Sequence, residues 1–206
     1  MRGRGVFIVF EGIDGAGKTT VAKAVVDLLI KSGIDSVYTY EPYSELFTKL
    51  IREYGKRFGS VMETLLMAAD RYYHIKEVIE PALHLGKTVV SDRYHFSSVA
   101  YQGARGADVK WVLQVNSFVL KPDLAIYLDV PPEVGLQRKK VSSTRIRYLE
   151  EDHEVMEDVR RIYKELVSSG DLEEVDATKD LCSVMQECVR IICERTGLLC
   201  GAAVCS

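Results

Sequence analysis

The sequence predicts a three-layer α/β fold in which a five-stranded parallel sheet is flanked by helices. Three observations predict it. Strand-like runs alternate with helix-period segments along the whole chain. The first strand-like run passes directly into a glycine-rich turn and then a helix. The 206 residues, 47% hydrophobic and 28% charged, are enough for one α/β unit with a sizeable core.

The first strand is expected at 6–10, Val-Phe-Ile-Val-Phe, an unbroken apolar run of the kind buried on both faces. A helix over 17–32 follows, with Val21, Ala24, Val25, Leu28 and Leu29 on one face. Ser-Val-Tyr-Thr-Tyr predicts a strand at 36–40, rich in β-branched and aromatic residues. Helix-period segments at 44–57 and 60–85 lead to a strand at 87–91. A helix at 107–119 precedes the strand 124–130, Leu-Ala-Ile-Tyr-Leu-Asp-Val. Helices at 132–140 and 149–168 come before a short strand at 172–176. The last helix, 178–196, lines up Leu181, Val184, Met185, Cys188, Val189 and Ile192 and stops at Gly197. No repeat or low-complexity linker divides the chain, so 1–206 reads as a single domain. Between about 138 and 150, Lys, Arg, Ser and Thr dominate, which reads as a short cationic lid. Residues 198–206 read as a tail.

Composition excludes several function classes. The net charge is −3 and the pI about 5.9, without the basic balance of a nucleic-acid binder. The one dense basic stretch, Arg138-Lys139-Lys140 with Arg145 and Arg147, is short enough to be a local phosphate site. No apolar run has membrane-spanning length, and the five apolar residues before Glu11 are too few for a signal peptide, so no membrane association and a cytoplasmic location are expected. Five cysteines fall at 182, 188, 193, 200 and 205 without a Cys-x-x-Cys pair, which argues against zinc. Cys188 reads as a small buried hydrophobe. Cys200 and Cys205 carry no readable signal.

Chemistry enters at Gly12-Ile13-Asp14-Gly15-Ala16-Gly17-Lys18-Thr19-Thr20, directly after the first strand. This spacing lets backbone N–H groups turn toward a chain of phosphates. Lys18 reaches the β/γ phosphates, and the Thr19 hydroxyl is placed to ligate Mg²⁺. The helix that follows points its positive end at the anion. A P-loop NTPase-type fold is therefore expected. A second site lies at Val89-Val-Ser-Asp92-Arg93-Tyr94, where a strand ends in an Asp-Arg pair. Strand C-termini are where open α/β sheets bind ligands. Asp92 there suits Mg²⁺ or its waters, and Arg93 can fork onto a phosphate.

With these residues in view, the chain resembles the thymidylate kinases. The matching segments are Phe10 to Thr20, Glu41-Pro42, Leu65-Leu-Met-Ala-Ala-Asp-Arg71, Ser91 to Gly103, Lys121 to Val130 with Glu133-Val-Gly-Leu, and Val175-Asp-Ala-Thr178. The resemblance implies transfer of a phosphoryl group from ATP to dTMP with Mg²⁺, on a homodimer. It implies that Arg93 clamps the phosphoryl group, that Asp92 organises Mg²⁺, and that Asp14 lies near the deoxyribose 3′-OH. Arg71 is implied to hydrogen-bond a thymine carbonyl, while Ser97, Ser98, Tyr101 and Gln102 line the base and sugar, with Pro42 and Tyr43 also on the substrate side. Asp176, Ala177 and Thr178 are implied to border adenine, with Arg138 stacking on that base.

Gly15 stands where some family members carry a catalytic arginine. The lid must then supply that charge, with Arg145 over the phosphates and Arg147 anchoring the hinge. Two departures bear on specificity. Met67 stands where the family usually has a thymine-stacking Phe, and a polarizable Met covers a base face less specifically. Tyr40 stands where many relatives have an arginine, for which Tyr43 partly compensates. A kinase of another nucleotide or of a deoxynucleoside is the alternative that Met67 motivates. A nucleotide switch protein would need a guanine-reading Asn/Thr-Lys-x-Asp segment, which is missing, and intact Lys18, Thr19, Asp92 and Arg93 speak against an inactive scaffold.

Overall fold

A computed structural model of the chain describes residues 4–141 and 153–204. Its five strands are β1 (Phe7–Glu11), β2 (Ser36–Tyr40), β3 (Thr88–Asp92), β4 (Leu124–Asp129) and β5 (Glu173–Asp176). They form one sheet in the order β2-β3-β1-β4-β5, and every pair is parallel. Each strand lies within a residue of its expected span at either end. The three central strands are buried along their whole length, which is why their sequences read as continuous apolar runs.

The helices are α1 (Lys18–Lys31), α2 (Glu45–Leu50), α3 (Lys56–His74), α4 (Glu80–His84), α5 (His95–Ala104), α6 (Val109–Val115), α7 (Pro132–Val141), α8 (His153–Ser168) and α9 (Leu181–Thr196). Helix α1 packs with α9, and α5 packs with α3 and α8. One contiguous apolar cluster joins the sheet to these helices. Wide π turns at Ile51–Gly55 and Ile75–Ile79 link α2 to α3 and α3 to α4. The break expected between 57 and 60 is real: Gly59 takes a φ of 82° inside α3, where only glycine is unstrained.

Helix α5 was not expected from the sequence. Its N-cap, Tyr94, makes no side-chain cap hydrogen bond. Phe96, Ser98, Val99, Ala100, Tyr101 and Gln102 are all buried, so no polar face marks a helical period. The start signal comes from another strand, through the Glu11 carboxylate at the end of β1. The predicted helix 107–119 is shorter, Val109–Val115, capped by Asp108 accepting from the Trp111 N–H. The expected lid residues beyond Val141, with Arg145 and Arg147, lie outside the described residues.

The cysteines hold a pairing that spacing did not reveal. Cys193 on α9 is disulfide-bonded to Cys200, and Cys182 is disulfide-bonded too. The chain between the first two turns back through Gly197 and Leu199 at φ 72° and 60°, which drives Leu199 into the core at 5% exposure. Cys188 is buried as expected, and burial pushes its thiol up to about 12.

Candidate functional site

The site forms where β1 and β3 end side by side. Phe10 is register partner to Asp92, and the Arg93 N–H extends the ladder to the Phe10 carbonyl at 2.9 Å. Two loops that diverge from these ends, 12–17 and 93–94, therefore start adjacent. The first loop turns on Gly12, Gly15 and Gly17, all at positive φ, with Gly17 as the N-cap of α1. Ile13 and Ala16 are buried and anchor it to the core. Lys18 is 6% exposed and its Nζ donates to the Ile13 carbonyl at 2.8 Å. Burial, then the neighbouring Arg93, lowers its pKa to about 8. The Thr19 hydroxyl donates to the Asp92 carboxylate, and Tyr38 Oη lies 3.4 Å from the same oxygen. Thr20 is exposed.

Gly15 has a steric reason to be glycine. A Cβ built there would meet the backbone oxygen of Gly135, on α7, at 2.1 Å. A Cβ on Gly135 would meet the Asp14 carbonyl oxygen at 2.6 Å. The two backbones touch, so α7 closes over the loop, and an arginine at position 15 has no room.

Arg93 has a φ of 78°, uncommon for a non-glycine residue. Its guanidinium donates to Ser97 Oγ at 2.9 Å, to Tyr101 Oη at 3.2 Å and to the Asp14 carboxylate. Behind it lies Glu11, at 0% exposure. Glu11 accepts from the Tyr94 N–H at 2.8 Å, the Ser97 N–H at 3.2 Å, Ser97 Oγ at 2.6 Å and Tyr163 Oη of α8 at 2.8 Å. Burial raises its pKa above the usual carboxylate value, against the pull of these donors and of Arg93.

A second cluster lies on α3. Arg71 is 1% exposed. It donates from Nε to Glu41 at 2.8 Å, from Nη1 to Asn116, and from Nη2 to Ser98 Oγ at 3.1 Å and the Tyr94 carbonyl at 3.3 Å. Protein partners thus use most of its five N–H donors. Met67, half-buried, sits one turn before Arg71 on the same helix face. Asp70 accepts from the Tyr43 and Ser44 N–H groups at 2.6 and 2.8 Å, fixing the segment after Pro42. The Tyr43 ring stacks on His74, centroids 4.6 Å apart. Gln102 is buried and its Oε1 has no partner among the described residues. At the far end of the sheet, Arg138 donates to the Ala177 carbonyl at 2.8 Å, and Thr178 folds back on Asp176.

The chain as a whole is similar to known proteins. The thymidylate kinase family model matches residues 10–188. A Staphylothermus marinus protein described as "Probable thymidylate kinase" is 42% identical over 191 residues, covering 92% of this chain and 96% of the relative. One of the same description from Pyrococcus abyssi is 48% identical over 145 residues, 66% of this chain and 71% of the relative. A third, from Sulfurisphaera tokodaii, is 39% identical over 91% of this chain and 95% of its own length. The chain belongs to the thymidylate kinase family.

For a thymidylate kinase the structure gathers the expected residues into three neighbourhoods. Asp14, Lys18, Thr19, Asp92, Arg93, Ser97 and Tyr101 meet at the phosphate loop. Arg71 and Ser98 share the buried network below it, near Met67 and Gln102. Arg138 meets Ala177 and Thr178 separately. Sequence reasoning passed over Glu11, Asp70, Asn116 and Tyr163. Glu11 carried a signal, a carboxylate ending an otherwise apolar central strand. Asn116 and Tyr163 carried none, since their partners are distant in sequence.

The Gly15–Gly135 contact makes a specific demand. Gly15→Ala is expected to lower the melting temperature by several degrees and to weaken ATP binding by about tenfold or more, because the loop must shift or the φ must change. Scanning fluorimetry and titration calorimetry check both. A variant with wild-type affinity and stability would mean that α7 gives way freely.

Proposed function

We propose that this site performs the thymidylate kinase reaction, transfer of the γ-phosphoryl group of ATP to dTMP with release of ADP and dTDP. The observation that carries the proposal is the junction of the phosphate loop with Arg93: two cations, Lys18 and Arg93, converge where two anionic substrates must meet. Phosphoryl transfer asks little covalent chemistry of a protein and much positioning and charge neutralisation. Lys18 serves the β/γ phosphates, and the backbone N–H groups of 12–20 cradle them at the start of α1. Arg93 exchanges its internal partners for the transferring group, which preserves its charge balance. Asp14 then turns to the deoxyribose, and Ser97 and Tyr101 border the sugar.

Oxygen donors suited to Mg²⁺ stand together here, since the Thr19 hydroxyl and Asp92 carboxylate already touch and both are hard ligands. Bound Mg²⁺ would supply neutralisation of phosphate charge. Arg138 with Asp176, Ala177 and Thr178 would border adenine. Arg145 is assigned the remaining catalytic charge on sequence grounds alone, given the glycine at 15.

Arg71, Ser98 and Gln102 are proposed to read thymine, with Met67 covering its face and Pro42 and Tyr43 on the phosphate side. The Gln102 oxygen, without a partner among the described residues, supports this, because a buried acceptor of that kind is available to a donor on a ligand. The chain is proposed to act as one domain, in the cytoplasm where its substrates are found. Among the described residues no helix is long and apolar enough to cross a membrane. The Cys193–Cys200 bond does not oppose a cytoplasmic location, since intracellular proteins of heat-adapted organisms carry disulfides. A homodimer is proposed from the exposed apolar side chains Val61, Leu65 and Tyr72 on α3, the last in edge contact with Phe118.

Three measurements test these readings. In a panel of dTMP, dUMP, dCMP, dGMP, UMP and thymidine with ATP and Mg²⁺, dTMP should have the highest kcat/KM. Its margin over dUMP should be roughly tenfold or more, since one methyl in a fitted pocket is worth that much. A better acceptor elsewhere in the panel would sink the thymine assignment and point to Met67, whose change to Phe should tighten dTMP binding severalfold.

Light scattering should return twice the 23.2 kDa chain mass, and Leu65→Glu should return the chain mass itself. A wild-type monomer at micromolar concentration would refute the dimer.

The third test uses pH. Free Lys18, at about 8, loses its proton as pH rises through that value, whereas bound polyphosphate holds the proton on. ATP affinity should therefore weaken up to about tenfold per pH unit above pH 8. The unfolded lysine, near 10.5, binds more protons than the folded one across this window, so Lys18 makes the free fold more stable, not less, as pH rises from 8 to 10.5. Loss of affinity would then not reflect unfolding. An ATP Kd that stays flat from pH 7 to 9.5 would contradict the assignment.

A further inference from the structure

Glu11 is the most heavily engaged carboxylate near the phosphate loop that has no direct part in the proposed reaction. It lies at the last position of β1, immediately before that loop, with no exposure to solvent. The donors that reach it come from the start of α5 and from α8.

Two of those donors are N–H groups at the start of α5, that of Tyr94 and that of Ser97, the latter shared with the Tyr94 carbonyl at 3.1 Å. Every helix begins with N–H groups that lack intrahelical partners, and a side chain at the N-cap commonly satisfies them. The Tyr94 side chain does not, and Glu11 does so from a neighbouring strand. The cap fixes Tyr94 and Ser97, and the residue just ahead of them is Arg93, at φ 78°. Such a conformation persists only where its surroundings over-determine it. The Phe10 carbonyl holds the Arg93 N–H on one side and Glu11 holds the next N–H on the other. The same carboxylate fixes Ser97 Oγ, which in turn accepts from Arg93 Nη1 at 2.9 Å.

We infer that Glu11 is a positioning residue for phosphoryl transfer: it caps α5 from β1 and thereby holds Arg93 in its left-handed backbone conformation, aimed across the phosphate loop. This rests on the role proposed for Arg93. Tyr163 supports Glu11 from α8, through the hydrogen bond at 2.8 Å, and its ring stacks on Tyr127 of β4.

The test is a double-mutant cycle in kcat. Glu11→Gln keeps the shape but removes the charge and one full acceptor. It should lower kcat roughly 10- to 100-fold, the cost of a small misplacement of a catalytic group, while the KM values for ATP and dTMP move less than about threefold. Arg93→Ala alone should be the more damaging change, and adding Glu11→Gln to it should cost nothing further, because a residue that acts through Arg93 has nothing left to position. Additive losses in the double variant would overturn the proposal, as would a folded Glu11→Gln enzyme with wild-type kcat. Should Glu11→Gln fail to fold, Tyr163→Phe takes its place: a kcat lowered about threefold or more at unchanged KM, again absent in the Arg93→Ala background, supports the inference, and an unchanged kcat refutes it. Wild-type turnover by Arg93→Ala alone would strike the Arg93 assignment itself, an outcome distinct from failure of the cycle.

Discussion

The parallel pairing of β1 with β3 is the constraint on which the site depends. It makes Phe10 and Asp92 neighbours, and each strand then delivers a loop at the same edge of the sheet. Lys18 and Thr19 come from one side of that seam, Asp92 and Arg93 from the other. A slip of one residue would turn every side chain of β1 to the opposite face and take Glu11 away from α5. Close packing on both faces of these buried strands opposes that slip, because side chains of different shape would exchange places, so the apolar core and the geometry of the phosphate site are one requirement.

Around this seam the buried charges of Arg93, Arg71 and Glu11 each meet partners. Arg93 faces Asp14, Arg71 faces Glu41, and Glu11 is surrounded by donors. An unpaired charge in such a place would cost several kcal/mol. The pairs differ in what they leave available. Arg71 is enclosed on nearly all sides by protein, which leaves it little donor capacity for a further partner. Arg93 and Asp14 are both partly exposed and paired with each other, which suits groups that exchange partners when substrate arrives.

The approach of α7 to the loop adds a second constraint of a different kind. Gly15 and Gly135 are both required because two backbones are in contact, so the helix that leads toward residues 142–152 is braced directly on the phosphate loop. Tyr163 on α8, the helix that follows those residues, reaches Glu11 beneath the same loop. The α7 stem of the intervening segment is thus tied to the phosphate loop and the α8 stem to the strand that leads into it. This also gives a physical account of the glycine at 15.

By itself the sequence determined the alternation of strands and helices, the phosphate loop, and the Asp92-Arg93 pair, because these are local: apolar runs, glycine spacing and short motifs express themselves within a few residues. The break at Gly59 and the burial of Cys188 were legible for the same reason. Helix α5 was not, because its cap comes from Glu11, more than eighty positions earlier in the chain, and its burial on most sides erases the helical period. The Cys193–Cys200 bond was also hidden, since it accompanies a turn through Gly197 and Leu199 whose second residue is buried in the core. Only the tertiary structure decided that Arg71 is held by Asn116 and Ser98, that Arg93 rests against Asp14, and that α7 touches Gly15, because each of these joins elements distant in sequence that meet through strand order and helix packing.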